Sequence, residues 1–97
     1  MDFVANIEDD LLRRDFTVNA MAYHPERGLC DPFGGQNDLK NGLIRAVGDP
    51  DARFTEDALR ILRGVRFVSK TGFAIERQTG YAMRRQLARL EAIAHER

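Results

Sequence analysis

The sequence predicts a mostly helical α+β fold, in which short strands and turns precede two long helices. Two observations indicate this fold: Gly and Pro residues interrupt the first half at short intervals, and apolar residues in the second half recur at helical spacing. A third observation, the turn sequence Gly48-Asp49-Pro50-Asp51, separates the halves. We therefore expect one unit over residues 1–48 and a helical unit over residues 49–97.

Short elements are predicted for the first half. In chain order they are a strand at 2–7, a polar helix or turn at 8–14, a helical turn at 15–23, a turn at 24–28 and a helical turn at 36–40. Residues 29–31 and 43–47 have the composition and spacing of strands. We expect these two segments to pair with each other as a short hairpin.

Two helices are predicted for the second half, the first over about residues 55–70 and the second from about residue 76 to the end. Thr55 is a suitable N-cap for the first helix, because its hydroxyl can accept a hydrogen bond from a free amide of the first turn. Gly72 is suited to end that helix. The second helix carries an apolar stripe at 4-3-4 spacing, formed by Met83, Leu87, Leu90 and Ala94.

Helical spacing divides the first of these helices into two faces. The predicted apolar face consists of Phe54, Ala58, Ile61, Leu62, Val65 and Val68, and Gly64 falls on the polar side. On that polar side Asp57, Arg60, Arg63 and Arg66 recur every third residue. They form a ridge about 13 Å long, which is close to the reach of a nucleotide from base to triphosphate.

The ridge combines two kinds of hydrogen-bonding group. Asp57 can only accept hydrogen bonds, whereas a guanidinium can only donate them, through a rigid fork. An acceptor beside a forked donor matches the edge of cytosine or adenine, and the remaining arginines suit phosphate. The alternative is that Glu56–Arg60 and Asp57–Arg60 are ordinary ion pairs on a solvated helix.

Composition limits the classes of function. The 97 residues have a formal net charge of zero, but from Arg60 onward basic residues outnumber acidic ones by nine to three. The lone cysteine, Cys30, excludes an internal disulfide and fits a reducing compartment. No apolar run approaches the ~20 residues that span a bilayer. We expect a cytoplasmic protein without a membrane partner.

Two segments resemble the class II CCA-adding tRNA nucleotidyltransferases and bacterial poly(A) polymerases. Residues 13–22, Arg-Arg-Asp-Phe-Thr-Val-Asn-Ala-Met-Ala, resemble the Arg-Arg-Asp-Phe-Thr-(hydrophobic)-Asn-Ala motif of that family. Residues 56–60, Glu-Asp-Ala-Leu-Arg, with Arg63 and Arg66, resemble its nucleotide-selecting Glu-Asp-x-x-Arg motif.

A third segment lies between them and resembles the hinge motif of the same family. It comprises residues 31–35, Asp-Pro-Phe-Gly-Gly, with Asp38-Leu39 and Ile44-Arg45. The three motifs occur in the family's order and cover nearly the whole chain. The resemblance implies that residues 1–48 are the C-terminal part, a remnant, of a polymerase-β-like nucleotidyltransferase head. It implies that residues 49–97 are a helical neck that selects the nucleotide and begins the RNA-binding body.

The resemblance implies roles in nucleotide selection for the polar ridge. Asp57 and Arg60 would present a Watson–Crick-like template that accepts CTP or ATP and rejects GTP and UTP. Arg63 and Arg66 would contact the same nucleotide. Phe67 lies near the ridge, and it either stacks on a base or packs against the hinge.

The resemblance also implies roles for residues of the head. Arg14 would bind the nucleotide, Asp15 would help to select the ribose, and Asn19 would support that pocket. Two alternatives remain at this point. Asp15 can serve mainly as a helix cap, and Asn19 can be a structural hydrogen-bonding residue.

The family's nucleotidyl transfer implies Mg²⁺ in the intact enzyme, held by an Asp-x-Asp pair upstream of the first motif. No such pair precedes Arg13, and Asp49-Pro50-Asp51 matches the pattern only within a proline turn. We therefore assign no catalytic residue and no metal ligand to this chain, and expect an internal piece that is inactive alone.

We expect ATP or CTP and the tRNA 3′ end as partners, and self-association through a sheet edge left exposed. Three alternatives remain open. The chain could be a non-catalytic nucleotide- or RNA-binding module, a poly(A) polymerase fragment, or a helical interaction domain.

Overall fold

The computed structural model describes the chain from residue 3 to residue 95, with side chains from residue 6 to residue 94. Its helices are α1 (Phe3–Leu12), α2 (Gly35–Asn41), α3 (Pro50–Glu56), α4 (Leu59–Thr71) and α5 (Arg77–His95). Its strands are β1 (Ala22–His24), β2 (Gly28–Cys30), β3 (Leu43–Ile44) and β4 (Ala74–Ile75), and a 3-10 turn covers Thr17–Asn19. The predicted mostly helical α+β fold is confirmed.

The short hairpin exists, but its predicted partner is wrong. Strand β2 pairs antiparallel with β1, with Tyr23 opposite Leu29, rather than with residues 43–47. A tight turn explains this choice, because Gly28 at φ +81 lets the chain reverse immediately after β1. Strand β3 pairs instead with β4 in parallel, across the whole of α3 and α4. The helical turn predicted over 15–23 is present only at its middle, as the 3-10 turn Thr17–Asn19, because β1 begins at Ala22.

The strand predicted at residues 2–7 is also wrong, with residue 2 outside the described part of the chain. Helix α1 covers Phe3–Leu12 and includes most of the segment predicted as a polar helix or turn. Leu11 is 1% exposed and lies in a small cluster with Ala20 and Val47, against which Ile7 packs. Ile7 and Leu11 are four residues apart, and this spacing places two side chains on one face of either a helix or a strand. The spacing therefore does not distinguish the two structures, and tertiary packing decides between them.

The single helix predicted over 55–70 is divided at Asp57. The chain leaves the helical conformation there, with φ −153° and ψ 99°, so α3 ends at Glu56 and α4 starts at Leu59. The Asp57 carboxylate accepts a hydrogen bond from the Leu59 amide at 3.0 Å. A short acidic side chain that bonds the backbone two residues on favours such a break.

Thr55 is not an N-cap, because α3 begins earlier than predicted. The cap of α3 is Asp49, whose carboxylate accepts from the Asp51 amide at 3.0 Å. The Thr55 hydroxyl donates instead to the Asp51 carbonyl inside α3, at 2.7 Å. At the other end of α4, Gly72 adopts φ +76° and its amide bonds the Val68 carbonyl, as predicted.

The main core joins the two halves of the chain. Its buried members are Phe16, Ile44, Ala46, Phe54, Ile61, Ala82 and Met83. Residues from both sides of position 48 contribute, and the boundary near that position stays a prediction. Helix α3 packs on α5, and α4 packs on the segment around Phe16. The segment around Phe16 and α4 therefore face each other.

The face that α4 buries differs from the predicted one. Leu62 and Val65 are 60% and 52% exposed, whereas Gly64 is buried. A Cβ atom on Gly64 would lie 2.7 Å from Met83 Cε and 2.9 Å from Phe16 Cζ. Only glycine permits this approach, so α4 packs through the stripe that contains Gly64. In α5 the predicted apolar stripe is buried only at its start, since Leu87 is 48% exposed.

Candidate functional site

Two adjoining clefts lie between the segment at residues 13–19 and α4. The first, the arginine cleft, has a volume of about 400 Å³ and is lined by Arg13, Arg14, Asp15, Asn19, Arg60 and Arg63. The second, the aromatic cleft, has a volume of about 280 Å³ and is lined by Asp15, Phe16, Asn19, Arg63, Arg66, Phe67 and Lys70. Asp15, Asn19 and Arg63 line both clefts and so form a shared wall.

Backbone hydrogen bonds fix the position of Asp15 in that wall. Its carbonyl accepts from the Val47 amide at 3.0 Å. Its carboxylate Oδ1 accepts from the Phe16 amide at 2.8 Å and from Asn19 Nδ2 at 3.4 Å. The side chain is 14% exposed. Asp15 therefore presents an oriented, acceptor-only group at the junction of the clefts.

Arg63 connects the two acidic residues of the predicted site. Its Nε donates to Asp15 Oδ2 at 3.0 Å, and its Nη2 donates to Asp57 Oδ2 at 3.2 Å. Burial alone would lower the pKa of Arg63, but the hydrogen bonds that it donates to the two carboxylates outweigh this effect and the pKa is raised. Arg63 is a fixed cation of the site.

The pKa of Asp57 is lowered, so the carboxylate form is favoured. The Leu59 amide lowers the pKa of Asp57, burial opposes this, and the nearby Arg63 and Arg60 lower it further. Its two oxygens each accept one described hydrogen bond, from Leu59 and from Arg63. A carboxylate offers about four acceptor positions. Asp57 therefore retains acceptor capacity for a further donor.

Arg60 is held by backbone carbonyls rather than by Asp57. Its Nη2 donates to the Arg13 carbonyl at 3.0 Å, and its Nη1 donates to the Arg53 carbonyl at 3.2 Å and to Glu56 at 3.1 Å. The side chain is 14% exposed. Its Nε is buried and has no partner among the described residues; Arg53 Nε is the other such atom.

The structure places the predicted site residues at different positions relative to the two clefts. Arg14, Asp15, Asn19, Arg60 and Arg63 line the arginine cleft. Arg66 lines only the aromatic cleft, and Asp57 lines neither but is tied to the shared wall through Arg63.

Because Asp57 lies outside α4, the helical ridge predicted from spacing begins at Arg60. The ion pair that the alternative interpretation assigned to Glu56 and Arg60 is present. The Asp57 and Arg60 side chains, by contrast, are not joined by a described hydrogen bond or ion pair.

Sequence reasoning missed two residues of the clefts. Arg13 lines the arginine cleft, and its carbonyl anchors Arg60. Lys70 lines the aromatic cleft, and its spacing from Arg66, one helical turn along α4, was the available signal. Phe67, for which two roles were left open, both lines this cleft and stacks at a tilt on Phe73, with ring centroids 5.9 Å apart.

The segment that resembles a hinge motif contacts the 3-10 turn that follows Asp15. Asp38 is 3% exposed, and its Oδ2 accepts from the Thr17 hydroxyl at 2.6 Å and from Arg45 Nε at 3.0 Å. Arg45 also lies 3.9 Å from Glu76, which caps the start of α5 through the Gln78 amide. This chain of contacts links the 3-10 turn beside Asp15 to α5.

Within the described part of the chain, no three His, Cys, Asp or Glu residues form a cluster that could hold a metal ion. The carboxylates of Asp49-Pro50-Asp51 are occupied structurally. Asp49 caps α3, and Asp51 binds Arg85 at 2.6 Å. The hydrogen bond from Arg85 lowers the pKa of Asp51. The carboxylates of Asp49 and Asp51 therefore do not fit a Mg²⁺ site.

The sequence and the fold of this chain match those of known proteins. Residues 1–45 match the sequence profile of the poly A polymerase head domain. A CCA-adding enzyme of Staphylococcus saprophyticus is 52% identical over 95 residues, which is 98% of this chain and 24% of that enzyme. This chain belongs to the CCA-adding nucleotidyltransferase family. It spans about a quarter of the length of the curated relatives that it matches.

Solved structures of this family share the fold. The Bacillus stearothermophilus CCA-adding enzyme in complex with CTP has a TM-score of 0.75 and 50% identity over 78% of this chain and 19% of its own. A CCA-adding enzyme in complex with ATP has a TM-score of 0.81 and 42% identity, over 88% of this chain and 21% of its own. The Thermotoga maritima CCA-adding enzyme complexed with tRNA has a TM-score of 0.78 and 41% identity, over 86% of this chain and 21% of its own.

The predicted membership of this family is therefore confirmed. None of the helices described here is long and apolar enough to cross a bilayer.

Proposed function

We propose that this chain is the nucleotide-selecting part of a tRNA nucleotidyltransferase, which binds CTP or ATP for addition to the tRNA 3′ end in the cytoplasm. The observation that carries the proposal is the position of Arg63, which donates to Asp15 on one side and Asp57 on the other. It couples the head segment to the segment that resembles the nucleotide-selecting motif. The CTP, ATP and tRNA complexes of the related enzymes support this assignment.

Base selection is assigned to Asp57 and Arg60. Asp57 keeps free acceptor positions for an exocyclic amine, which cytosine and adenine carry on the edge that they present for pairing. Arg60 lines the arginine cleft and is the donor that we assign to the adjacent ring nitrogen.

The remaining groups of the arginine cleft suit the rest of a nucleotide. Arg14 and the remaining N–H groups of Arg63 can donate to phosphate oxygens. The ribose hydroxyls are donors, and Asp15 at the shared wall is an oriented acceptor that Asn19 supports. Arg66, which lines only the neighbouring cleft, has no assigned contact with the same nucleotide.

The proposed role is limited to binding and selection. Nucleotidyl transfer in this family implies divalent cations such as Mg²⁺, which neutralise charge on the triphosphate. The described residues offer no cluster of ligands for them. We therefore assign to this chain the recognition of the nucleotide, and no step of the transfer itself.

A poly(A) polymerase fragment is the second candidate, because the matching head-domain profile is that of a poly A polymerase. The two candidates differ in the nucleotides that they must accept. CCA addition requires both CTP and ATP, whereas poly(A) synthesis requires ATP alone. Comparable affinity for CTP and ATP therefore favours the first candidate.

Isothermal titration calorimetry of the chain with CTP, ATP, GTP and UTP tests the proposal. We expect CTP and ATP to bind at least about tenfold more tightly than GTP and UTP, since mismatched polar groups cost more than 1.4 kcal/mol. Asp57→Asn should remove this discrimination while keeping an oxygen for the Leu59 amide. The matched control is Glu8→Gln on the exposed surface of α1, which should leave all four affinities unchanged.

Two results would overturn the proposal. One is a folded chain, with a dispersed amide spectrum, that binds none of the four nucleotides. The other is equal binding of all four, because a site that does not discriminate has no template.

A further inference from the structure

The aromatic cleft contains cations of a different kind from those of the arginine cleft. Arg60 and Arg63 are tied to carboxylates, whereas Arg66 and Lys70 form no ion pair among the described residues. Both side chains are exposed, and they lie one helical turn apart on the same side of α4. Their charge is therefore available to an external anion.

Phe67 lies beside these cations and forms part of the wall of the cleft. Its side chain is half-buried, and its ring is braced by Phe73 at a centroid distance of 5.9 Å and an interplanar angle of 59°. Phe73 is itself held near Gly42, on which a Cβ would lie 3.6 Å from its ring. The Phe67 ring is thus fixed by packing yet still borders an open cleft.

An aromatic ring beside unpaired cations is the arrangement with which proteins bind single-stranded nucleic acid. Bases stack on the ring, and the cations attract the backbone phosphates. The shared wall adds Asp15 and Asn19, which can bond the 2′-hydroxyl that distinguishes RNA from DNA.

We infer that the aromatic cleft binds one nucleotide unit of a single-stranded RNA, with its base against Phe67 and its phosphate at Arg66 and Lys70. The inference rests on the proposed function, in which the arginine cleft holds the incoming nucleotide. The shared wall would then separate the RNA end from that nucleotide. This inference assigns Arg66 to the RNA instead of to the incoming nucleotide.

Fluorescence anisotropy with a labelled cytidine hexanucleotide RNA tests the inference, and calorimetry with CTP is run on the same proteins. Lys70→Gln removes one charge and keeps the stem. Phe67→Leu removes the aromatic face and keeps an apolar side chain against Phe73. The matched control is Lys40→Gln, an exposed lysine of α2 away from both clefts. Urea unfolding of each variant shows whether the fold is retained.

We expect Phe67→Leu to weaken RNA binding about tenfold, within the range for loss of one base–aromatic stack. Lys70→Gln should weaken it and should reduce the slope of log K against log salt by about 0.7, the value for one phosphate contact in a single strand. CTP affinity should change less than about twofold in both variants, as it should in Lys40→Gln.

Either of two results would overturn the inference. Unchanged RNA affinity in both variants would show that the cleft does not contact RNA. Equal loss of CTP and RNA affinity would show that the cleft serves the incoming nucleotide. A wild-type chain that binds RNA through these residues and no CTP would instead contradict the proposed function alone.

Discussion

Arg63 of α4 donates through Nε to Asp15 at 3.0 Å, and these residues are 48 positions apart in the chain. The same guanidinium reaches Asp57 through Nη2 at 3.2 Å. One side chain thus joins the segment before the hairpin, the break between α3 and α4, and α4 itself. This contact links two parts of the arginine cleft, because Asp15 and Arg63 both line it.

Arg63→Lys should separate nucleotide binding from stability. A lysine is a point charge and cannot bridge two carboxylates with a planar fork. We expect CTP affinity to fall about tenfold, the equivalent of one charge-assisted hydrogen bond of ~1.4 kcal/mol. The free energy of unfolding should change by less than about 1 kcal/mol, because Arg63 is half exposed.

Arg89→Lys is the matched control for Arg63→Lys. Arg89 is exposed on α5 and donates to Gln86 at 3.0 Å, away from both clefts. Calorimetry and urea unfolding supply the two measurements. Unaltered CTP affinity in Arg63→Lys would contradict the importance assigned to the bridge.

Gly64→Ala should destabilise the chain. The added Cβ would meet Met83 Cε at 2.7 Å and Phe16 Cζ at 2.9 Å, and overpacking of a core costs about 1–3 kcal/mol. Gly80→Ala is the matched control inside α5, where the nearest atom, Ile75 Cγ2, would lie 3.6 Å away. That change should stabilise the chain by about 0.5–1 kcal/mol, the usual helical preference for alanine.

Urea unfolding of the two glycine variants gives the comparison directly. The account predicts shifts of opposite sign in the free energy of unfolding. Stabilisation by both substitutions would mean that α4 does not need glycine to approach Phe16.

Asp38→Asn should be costly, because Asp38 is buried and accepts from Thr17 and Arg45. An amide can reproduce only part of this pattern, and Arg45 would lose the closer of its two charged partners, Asp38 and Glu76. We expect a loss of about 2–4 kcal/mol in the free energy of unfolding, somewhat below that for a fully buried pair because Arg45 is partly exposed. Chemical denaturation measures it.

The comparison for Asp38→Asn is Asp9→Asn, which breaks an exposed ion pair with Arg13 at 3.5 Å. Pairs of this kind contribute about 0–1 kcal/mol. Similar losses in both variants would contradict the structural role given to Asp38.

Part of the stability should depend on pH through Glu76. Burial raises the pKa of Glu76, but the Gln78 amide, Thr79 and Arg45 together outweigh it and hold the pKa below its usual value. The folded state therefore binds this proton less readily than the unfolded chain. Glu76 contributes stability above a pH of about 4.3, and this contribution is lost as the pH falls through the lowered pKa.

Glu76→Gln should flatten the acid limb of the curve of unfolding free energy against pH, since it removes the titrating group. Lys40→Gln, an exposed change on α2 that removes no carboxyl group, is the control and should leave the limb unchanged. An acid limb of equal slope in Glu76→Gln and wild type would show that other carboxyl groups account for it.

The sequence predicted the family, the fold class and the two long helices of the second half, because the signals for these are local. Gly72 illustrates this, since a left-handed C-cap depends on the residues around it. The strand at 2–7 was wrong because the packing of α1 depends on contacts distant in the chain. The hairpin partner of residues 29–31 was wrong because β1 falls partly in the segment that was predicted as a helical turn. Parallel pairing of β3 with β4 across two helices has no local signature.

The site was predicted as a set of residues but not as a geometry. Helical spacing placed Asp57 beside Arg60, whereas the chain breaks at Asp57 and gives its carboxylate to Leu59 and Arg63. Gly64 was placed on the polar face, because periodicity cannot show that a glycine marks a close approach. Which of the predicted residues touches a nucleotide stays a prediction.

An NMR titration of the isotope-labelled chain with CTP tests the central claim most directly, with GTP as the comparison. We expect CTP to shift the amide signals of residues 13–19 and 57–63 together, and we expect no such shifts with GTP. Arg63→Lys should weaken both groups of shifts in parallel, because one bridge couples them. Shifts confined to one of these segments, or equal shifts with CTP and GTP, would contradict a shared selecting site built around Arg63.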